Sequence, residues 1–143
     1  MLFAKKKRLI ERLLLVEDEP LVAFDTEHFL GGEGFEIVAT VDTVAEGLAT
    51  IASGAEIDLL LVDIELSDGS GVNVAHAARA RGIPVLFVTG SFPEEAKHVA
   101  AGCLSKPYPQ RDLLAAIGAI EAVLAGKKPR KLPASFSLFS GAA

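Results

Sequence analysis

Short apolar runs that stop abruptly at a polar or charged residue constrain this chain more than any other feature. Residues 13 to 16 run into Glu17 and Asp18, residues 59 to 62 into Asp63, and residues 85 to 88 into Thr89. A shorter segment, Cys103-Leu104-Ser105, ends at Lys106-Pro107. Continuous apolar runs of this length, bounded by polar residues, read as strands of a parallel sheet buried on both faces. In open sheets of that kind the ligand site lies beyond the carboxyl ends of the strands. The five polar positions therefore converge on one site although Glu17 and Lys106 are 89 positions apart.

Between these runs the pattern alternates strand and helix. Strands are expected at 12–16, 35–40, 58–63, 84–88 and 102–105. Pro20 suits the first turn of a helix ending near Leu30, where Gly31-Gly32 stop it. Asp42 or Thr43 caps a second helix through Ala52, followed by Gly54. Further helices are expected at 71–80, closed by Gly82, at 93–100 and at 110–124. Strand-helix alternation with short connections implies right-handed crossovers and helices on both faces of a parallel sheet. No internal repeat or domain boundary interrupts it.

The convergent groups make a chemical demand. Three neighbouring carboxylates, Glu17, Asp18 and Asp63, repel one another and raise at least one pKa unless a cation shares the site. A hard divalent ion with oxygen ligands removes the conflict, and Mg²⁺ suits one or two carboxylates plus a phosphate. Asp63 has the chemistry of a nucleophile that forms an aspartyl phosphate. Lys106 then neutralises phosphate oxygens and Thr89 hydrogen-bonds one of them.

Composition fits a single globular domain. The chain has 143 residues, enough for a substantial core, and no apolar stretch approaches the ~20 residues of a membrane span. Its single cysteine, Cys103, excludes an internal disulfide and suits a reducing cytoplasm, and the start is a poor secretory signal. Charge is uneven: residues 1–12 carry +4 and residues 126–143 another +4, which leaves −13 in the body of a chain with net charge −5. The basic residues lie in short terminal runs without a reading module, so nucleic-acid binding is not supported. The ends are read as solvated, and 126–143 as a tail that is either disordered or partner-binding, its apolar Phe136, Leu138 and Phe139 alternating with polar residues. The histidines, His28, His76 and His98, are scattered over expected helices and read as surface positions, not as a metal site.

Glu17-Asp18, Asp63, Thr89 and Lys106-Pro107, in this order and spacing, resemble the receiver domain of two-component response regulators. The resemblance runs from about Arg12 to about Leu124, and includes Val16-Glu17-Asp18-Glu19-Pro20 and the loop Leu66-Ser67-Asp68-Gly69-Ser70-Gly71. It implies a flavodoxin-like (βα)5 fold, strand order 2-1-3-4-5, with a receiver body at 12–125 between a basic extension at 1–11 and the tail. It implies that Asp63 accepts phosphate from a sensor histidine kinase or histidine phosphotransfer protein. Mg²⁺ would be held by Glu17, Asp18, Asp63 and the backbone carbonyl of Glu65, and the Lys106-Pro107 bond would be cis. Such a protein is no turnover enzyme beyond self-phosphorylation and slow dephosphorylation. It acts in the cytoplasm on an output protein, as a monomer or weak dimer, through a surface that Thr89 switches.

Two departures stand out. Family members usually carry an aromatic three residues before the lysine, where this chain has Cys103. Phe87-Val88-Thr89-Gly90-Ser91-Phe92 partly resembles the motif of a stand-alone receiver subgroup, the FAT GUY family, with Val88 in place of a small Ala. Phe92 is then a candidate substitute for the mobile aromatic, or simply a core residue, and Gly90 leaves access to the phosphate open. Asp63-Ile64-Glu65 also invites comparison with haloacid-dehalogenase-type phosphatases, but there the second acid is Asp and the motif follows the first strand. The alternative to a phosphorylated switch is a phosphate-independent interaction module on the same fold.

Overall fold

The computed structural model describes residues 8–139. Its centre is a sheet of six strands: β1 (Arg12–Val16), β2 (Glu36–Val41), β3 (Leu59–Val62), β6 (Val85–Thr89), β7 (Gly102–Ser105) and β8 (Phe136–Leu138). Two two-residue strands, β4 (Glu65–Leu66) and β5 (Gly69–Ser70), form a separate antiparallel hairpin after β3. The helices are α1 (Pro20–Gly32), α2 (Val44–Ala52), α3 (Gly71–Ala80) and α4 (Gln110–Leu124), and a 3-10 segment occupies Glu94–Val99. Sheet order is β2-β1-β3-β6-β7-β8. The five strands expected from the sequence lie parallel in the order 2-1-3-4-5, and the sixth, β8, pairs antiparallel with β7.

Side-chain alternation along the strands builds two cores. Leu14, Val16, Leu60, Val62, Val85, Phe87 and Cys103 face one way, onto α2 and α3 residues such as Val44, Ile51, Val74 and Ala78. Leu13, Leu15, Leu59, Leu61, Leu86, Val88 and Leu104 face the other way, onto Leu30 of α1 and Leu113, Ile117 and Ile120 of α4. Every residue of β3 and β6 is buried, which is why these strands read as unbroken apolar runs and not as alternations. Each such side chain removed from water contributes about 1.5–3 kcal/mol, so the central strands anchor the sheet.

Three local features differ from the sequence expectation. The first helix runs two residues past Leu30, and the chain reverses at Gly34, whose φ of 95° is left-handed; Gly31 and Gly32 remain helical. The segment expected as a helix over 93–100 is 3-10 at Glu94–Val99. Only six residues separate Pro93 from Ala100, which is already extended, and the buried Ala96 and Val99 are three apart, a spacing that matches the 3-10 repeat. The tail supplies a sheet strand, β8, with Phe136 buried. At the start of α2, Thr43 takes the cap by accepting the Glu46 N–H at 3.0 Å, and its hydroxyl donates in turn to Glu46 Oε1 at 3.2 Å.

Candidate functional site

Strand register assembles the site. Val16 of β1 lies opposite Val62 of β3, so Glu17 and Asp63, the next residue on each strand, emerge side by side. Thr89 of β6 lies opposite Ser105 of β7, which places Lys106 one step beyond the sheet; its N–H donates to the Thr89 carbonyl at 3.0 Å. The Asp63 N–H donates to the Val16 carbonyl at 3.1 Å, so the ladder continues as far as the acidic residue itself. The Lys106-Pro107 peptide bond is cis, as expected.

Lys106 is the hub. Its Nζ donates to Glu17 Oε1 and to Asp63 Oδ2, both at 2.8 Å. Asp63 Oδ1 accepts the Glu65 N–H at 3.2 Å, so both carboxylate oxygens have a donor. Asp63 is buried, and its side chain and that of Glu17 are each 11% exposed. Partial burial opposes the Lys106 ammonium, but the hydrogen bonds it donates to Asp63 and Glu17 and their negative charges outweigh it and raise its pKa above the ordinary lysine value. The ammonium is therefore fully charged at neutral pH.

Asp18 completes an acidic cluster. One carboxylate oxygen each from Glu17, Asp18 and Asp63 lie within 4.8 Å of one another. Lys106 contacts two of the three and leaves net negative charge. An all-oxygen, carboxylate donor set of this kind suits a hard divalent cation such as Mg²⁺. The surface beside it is acidic as well, a groove lined by Asp18, Thr40, Asp42 and Glu46. Glu65 has its side chain exposed.

Thr89 is buried, and its hydroxyl is engaged locally: Oγ1 donates to the Ser91 carbonyl at 3.0 Å and lies 3.3 Å from the Ser91 N–H, whose hydrogen bond it accepts. The expected contact of this hydroxyl with a phosphate thus requires it to leave Ser91. Phe92 is half-buried and tilted against Phe87, ring centroids 5.8 Å apart. Cys103 is buried among the residues of the α2–α3 core, and burial pushes its thiol up to about 11. Gly90 has open space where a side chain would stand. The three histidines are exposed, and His28 stacks on Phe24.

Some residues that shape the site carried little sequence signal. A Cβ on Gly71 would fall 1.9 Å from the Asp63 carbonyl oxygen, so only glycine allows α3 to start against the Asp63 backbone. Asp68, at the tip of the hairpin, accepts the Val44 and Ala45 N–H groups and caps α2. Those backbone hydrogen bonds, the Val44 bond foremost, hold its carboxyl below the usual range, and they fix the hairpin that carries Glu65. Tyr108 walls the site beside Asp63, Thr26 and Val88, and burial raises its phenol pKa. An aromatic directly after Lys106-Pro107 was the available clue.

A doubly wound sheet with three carboxylates and a lysine at its strand ends defines an α/β class with an acidic pocket suited to a divalent cation. Comparison with known sequences narrows it: residues 13–118 match the family model described as the response regulator receiver domain, and the chain belongs to that family. The mycobacterial sensory transduction protein RegX3 (Mycobacterium bovis) is 39% identical over 116 residues, 76% of this chain and 49% of the relative. The phyllosphere-induced regulator PhyR of Methylorubrum extorquens is 30% identical over 111 residues, 73% of this chain and 41% of the relative. The chain thus spans half or less of the length of these relatives. Among solved structures, a receiver domain protein of Methanospirillum hungatei is 32% identical with a TM-score of 0.66, covering 73% of this chain and 88% of that one. The response regulator TrrA of Thermotoga maritima, solved in complex with Mg²⁺ and BeF, is 26% identical with a TM-score of 0.67, covering 73% and 94%. No helix among the described residues is long and apolar enough to cross a membrane.

Proposed function

We propose that this chain is a phosphoacceptor switch in which Asp63 takes a phosphoryl group from the phosphohistidine of a sensor kinase or phosphotransfer protein. The observation that carries this reading is the double contact of Lys106 with Glu17 and Asp63 beside a third carboxylate, Asp18. Glu17, Asp18, Asp63 and the Glu65 carbonyl would hold Mg²⁺, which when bound supplies positive charge against the phosphoryl oxygens.

The residues divide the work as follows. An Asp63 carboxylate oxygen forms the new P–O bond as the P–N bond to the donor imidazole breaks, and the electron pair of that bond stays on the imidazole nitrogen. Lys106 neutralises charge on the transferred group, since little covalent chemistry remains for the protein beyond positioning and electrostatics. Asp63 is held ready by two fixed donors, the Glu65 N–H and the Lys106 ammonium. Thr89 releases Ser91 and donates its hydroxyl proton to a phosphoryl oxygen, and the rearranged Thr89–Phe92 segment changes the surface offered to an output protein. Gly90 leaves the approach uncovered, which favours rapid transfer. The protein works in the cytoplasm, as a monomer or weak dimer.

The test is transfer of label from a phosphohistidine donor or acetyl phosphate, with and without Mg²⁺, in wild type and Asp63→Asn. Label that requires both Mg²⁺ and Asp63 is expected. Its absence with several donors would point to a phosphate-independent interaction module.

A further inference from the structure

The chain after α4 closes the open edge of the parallel sheet. Ser105 N–H donates to the Ser135 carbonyl at 2.8 Å and Phe139 N–H to the Ala101 carbonyl at 2.9 Å, with Leu104, Cys103 and Gly102 facing Phe136, Ser137 and Leu138 in between. Phe136 is buried on the α4 side of the sheet, and Phe139 packs on the opposite side, its ring 5.2 Å from that of Phe92. A Cβ on Gly102 would meet the Phe136 ring at 2.5 Å, so this glycine leaves a hollow that the ring fills. The segment straddles the edge, one aromatic on each face.

The hold is short, and both of its ends touch the phosphoacceptor machinery. A three-residue strand is at the lower limit of what pairs stably. At one end Ser135 bonds Ser105, the neighbour of Lys106. At the other, Phe139 rests on Phe92, whose backbone neighbour Ser91 is fixed by the Thr89 hydroxyl. A hydroxyl has one proton to donate. If Thr89 gives it to a phosphoryl oxygen, as in the function proposed above, on which this inference rests, the Ser91 carbonyl loses it and the support under Phe139 loosens.

We propose that residues 135–139 are a strap held in cis on a strand-accepting edge, β7. Phosphorylation of Asp63 opens it to an extended partner segment with aromatics spaced as Phe136 and Phe139. An uncovered sheet edge presents unpaired N–H and C=O groups that an added strand satisfies, while side-chain hollows select what binds. The hollow over Gly102 takes one ring and the Phe92 face takes the other.

The test uses the full chain with Mg²⁺ and beryllium fluoride, a mimic of the phosphoryl group on a carboxylate, with occupancy read from the fluorine resonance. Amide exchange by NMR is expected to speed up about tenfold at Ser105 and Phe139, with Leu60 N–H, bonded to the Pro84 carbonyl inside the sheet, unchanged. An adduct that leaves the Ser105 and Phe139 amides protected overturns the strap. Failure of Asp63 to form any adduct overturns the phosphoacceptor reading and removes the trigger with it. A labelled peptide copying residues 132–139 is then titrated by anisotropy. At least about tenfold tighter binding to the adduct than to the resting protein is expected, and it should be lost in Gly102→Val. Strap opening without peptide binding overturns the strand-accepting role.

Discussion

Replacing Lys106 by Met removes the ammonium and keeps most of the stem, so the loss isolates its charge. In the structure that charge sits 2.8 Å from each of two carboxylates whose side chains are 11% exposed, while Lys106 itself is 23% exposed. An exposed pair contributes at most about 1 kcal/mol, and breaking a fully buried one costs about 3–5 kcal/mol. This partly buried triad falls between, at about 2–3 kcal/mol. For a domain of this size the melting temperature should drop by roughly 6–12 °C in EDTA. The effect is fully developed at neutral pH. The folded-state pKa of Lys106 lies above its ordinary value of 10.5, so its stabilisation is present below that pH and is lost as pH rises through the folded value. Mg²⁺ should reverse the order of sensitivity. With the ammonium gone, three carboxylates face the cation without a competing positive charge, and saturating Mg²⁺ should stabilise Lys106→Met more than wild type. A tenfold excess over Kd is worth about 1.4 kcal/mol in either protein, and the tighter-binding variant gains more at equal concentration. Thermal melts by circular dichroism in EDTA and in Mg²⁺ measure both quantities. Equal melting temperatures in EDTA, or a larger Mg²⁺ effect in wild type, would refute the reasoning.

Three further outcomes are expected. Gly71→Ala drives a methyl into the Asp63 carbonyl oxygen, 1.9 Å from the ideal position, and should cost about 1–3 kcal/mol in urea unfolding and slow Asp63 phosphorylation; an unperturbed phosphorylation rate would show that the helix start does not position Asp63. Gly118→Ala, in α4 with open space around its Cβ position, should instead stabilise by about 0.5–1 kcal/mol, read from the same urea curves. Cys103, with its thiol at about 11, should react slowly with iodoacetamide at pH 8 and faster with each unit toward pH 11; because the folded chain keeps a proton that the unfolded thiol loses from about 9.0 upward, stability should fall over that interval. Alkylation at pH 8 at the rate of a free thiol would contradict the burial.

Much of the architecture was legible in local patterns. The parallel strands and the four α-helices follow from apolar runs and from caps such as Pro20 and Thr43, whose signals lie within a few residues of the element they start. The site composition was legible for the same reason: Glu17, Asp63, Thr89 and Lys106 mark strand ends, and parallel strands in register must deliver their ends to one edge. Tertiary structure decided what depends on distant partners. The 3-10 form of Glu94–Val99 answers the short span to β7, not its composition. Gly71 is required by an Asp63 carbonyl that no neighbouring residue reveals, and Asp68 serves α2 across a separation of 24 residues. The orientation of the Thr89 hydroxyl is a choice among rotamers, settled by the turn at Ser91. Above all, the fate of 126–139 was open in the sequence, because Phe136, Leu138 and Phe139 are as compatible with a free tail as with a strand. The β7 edge, with a glycine at position 102 leaving room for a ring, is what makes residues 136–138 a strand, since a strand's hydrogen bonds belong to its neighbour as much as to itself.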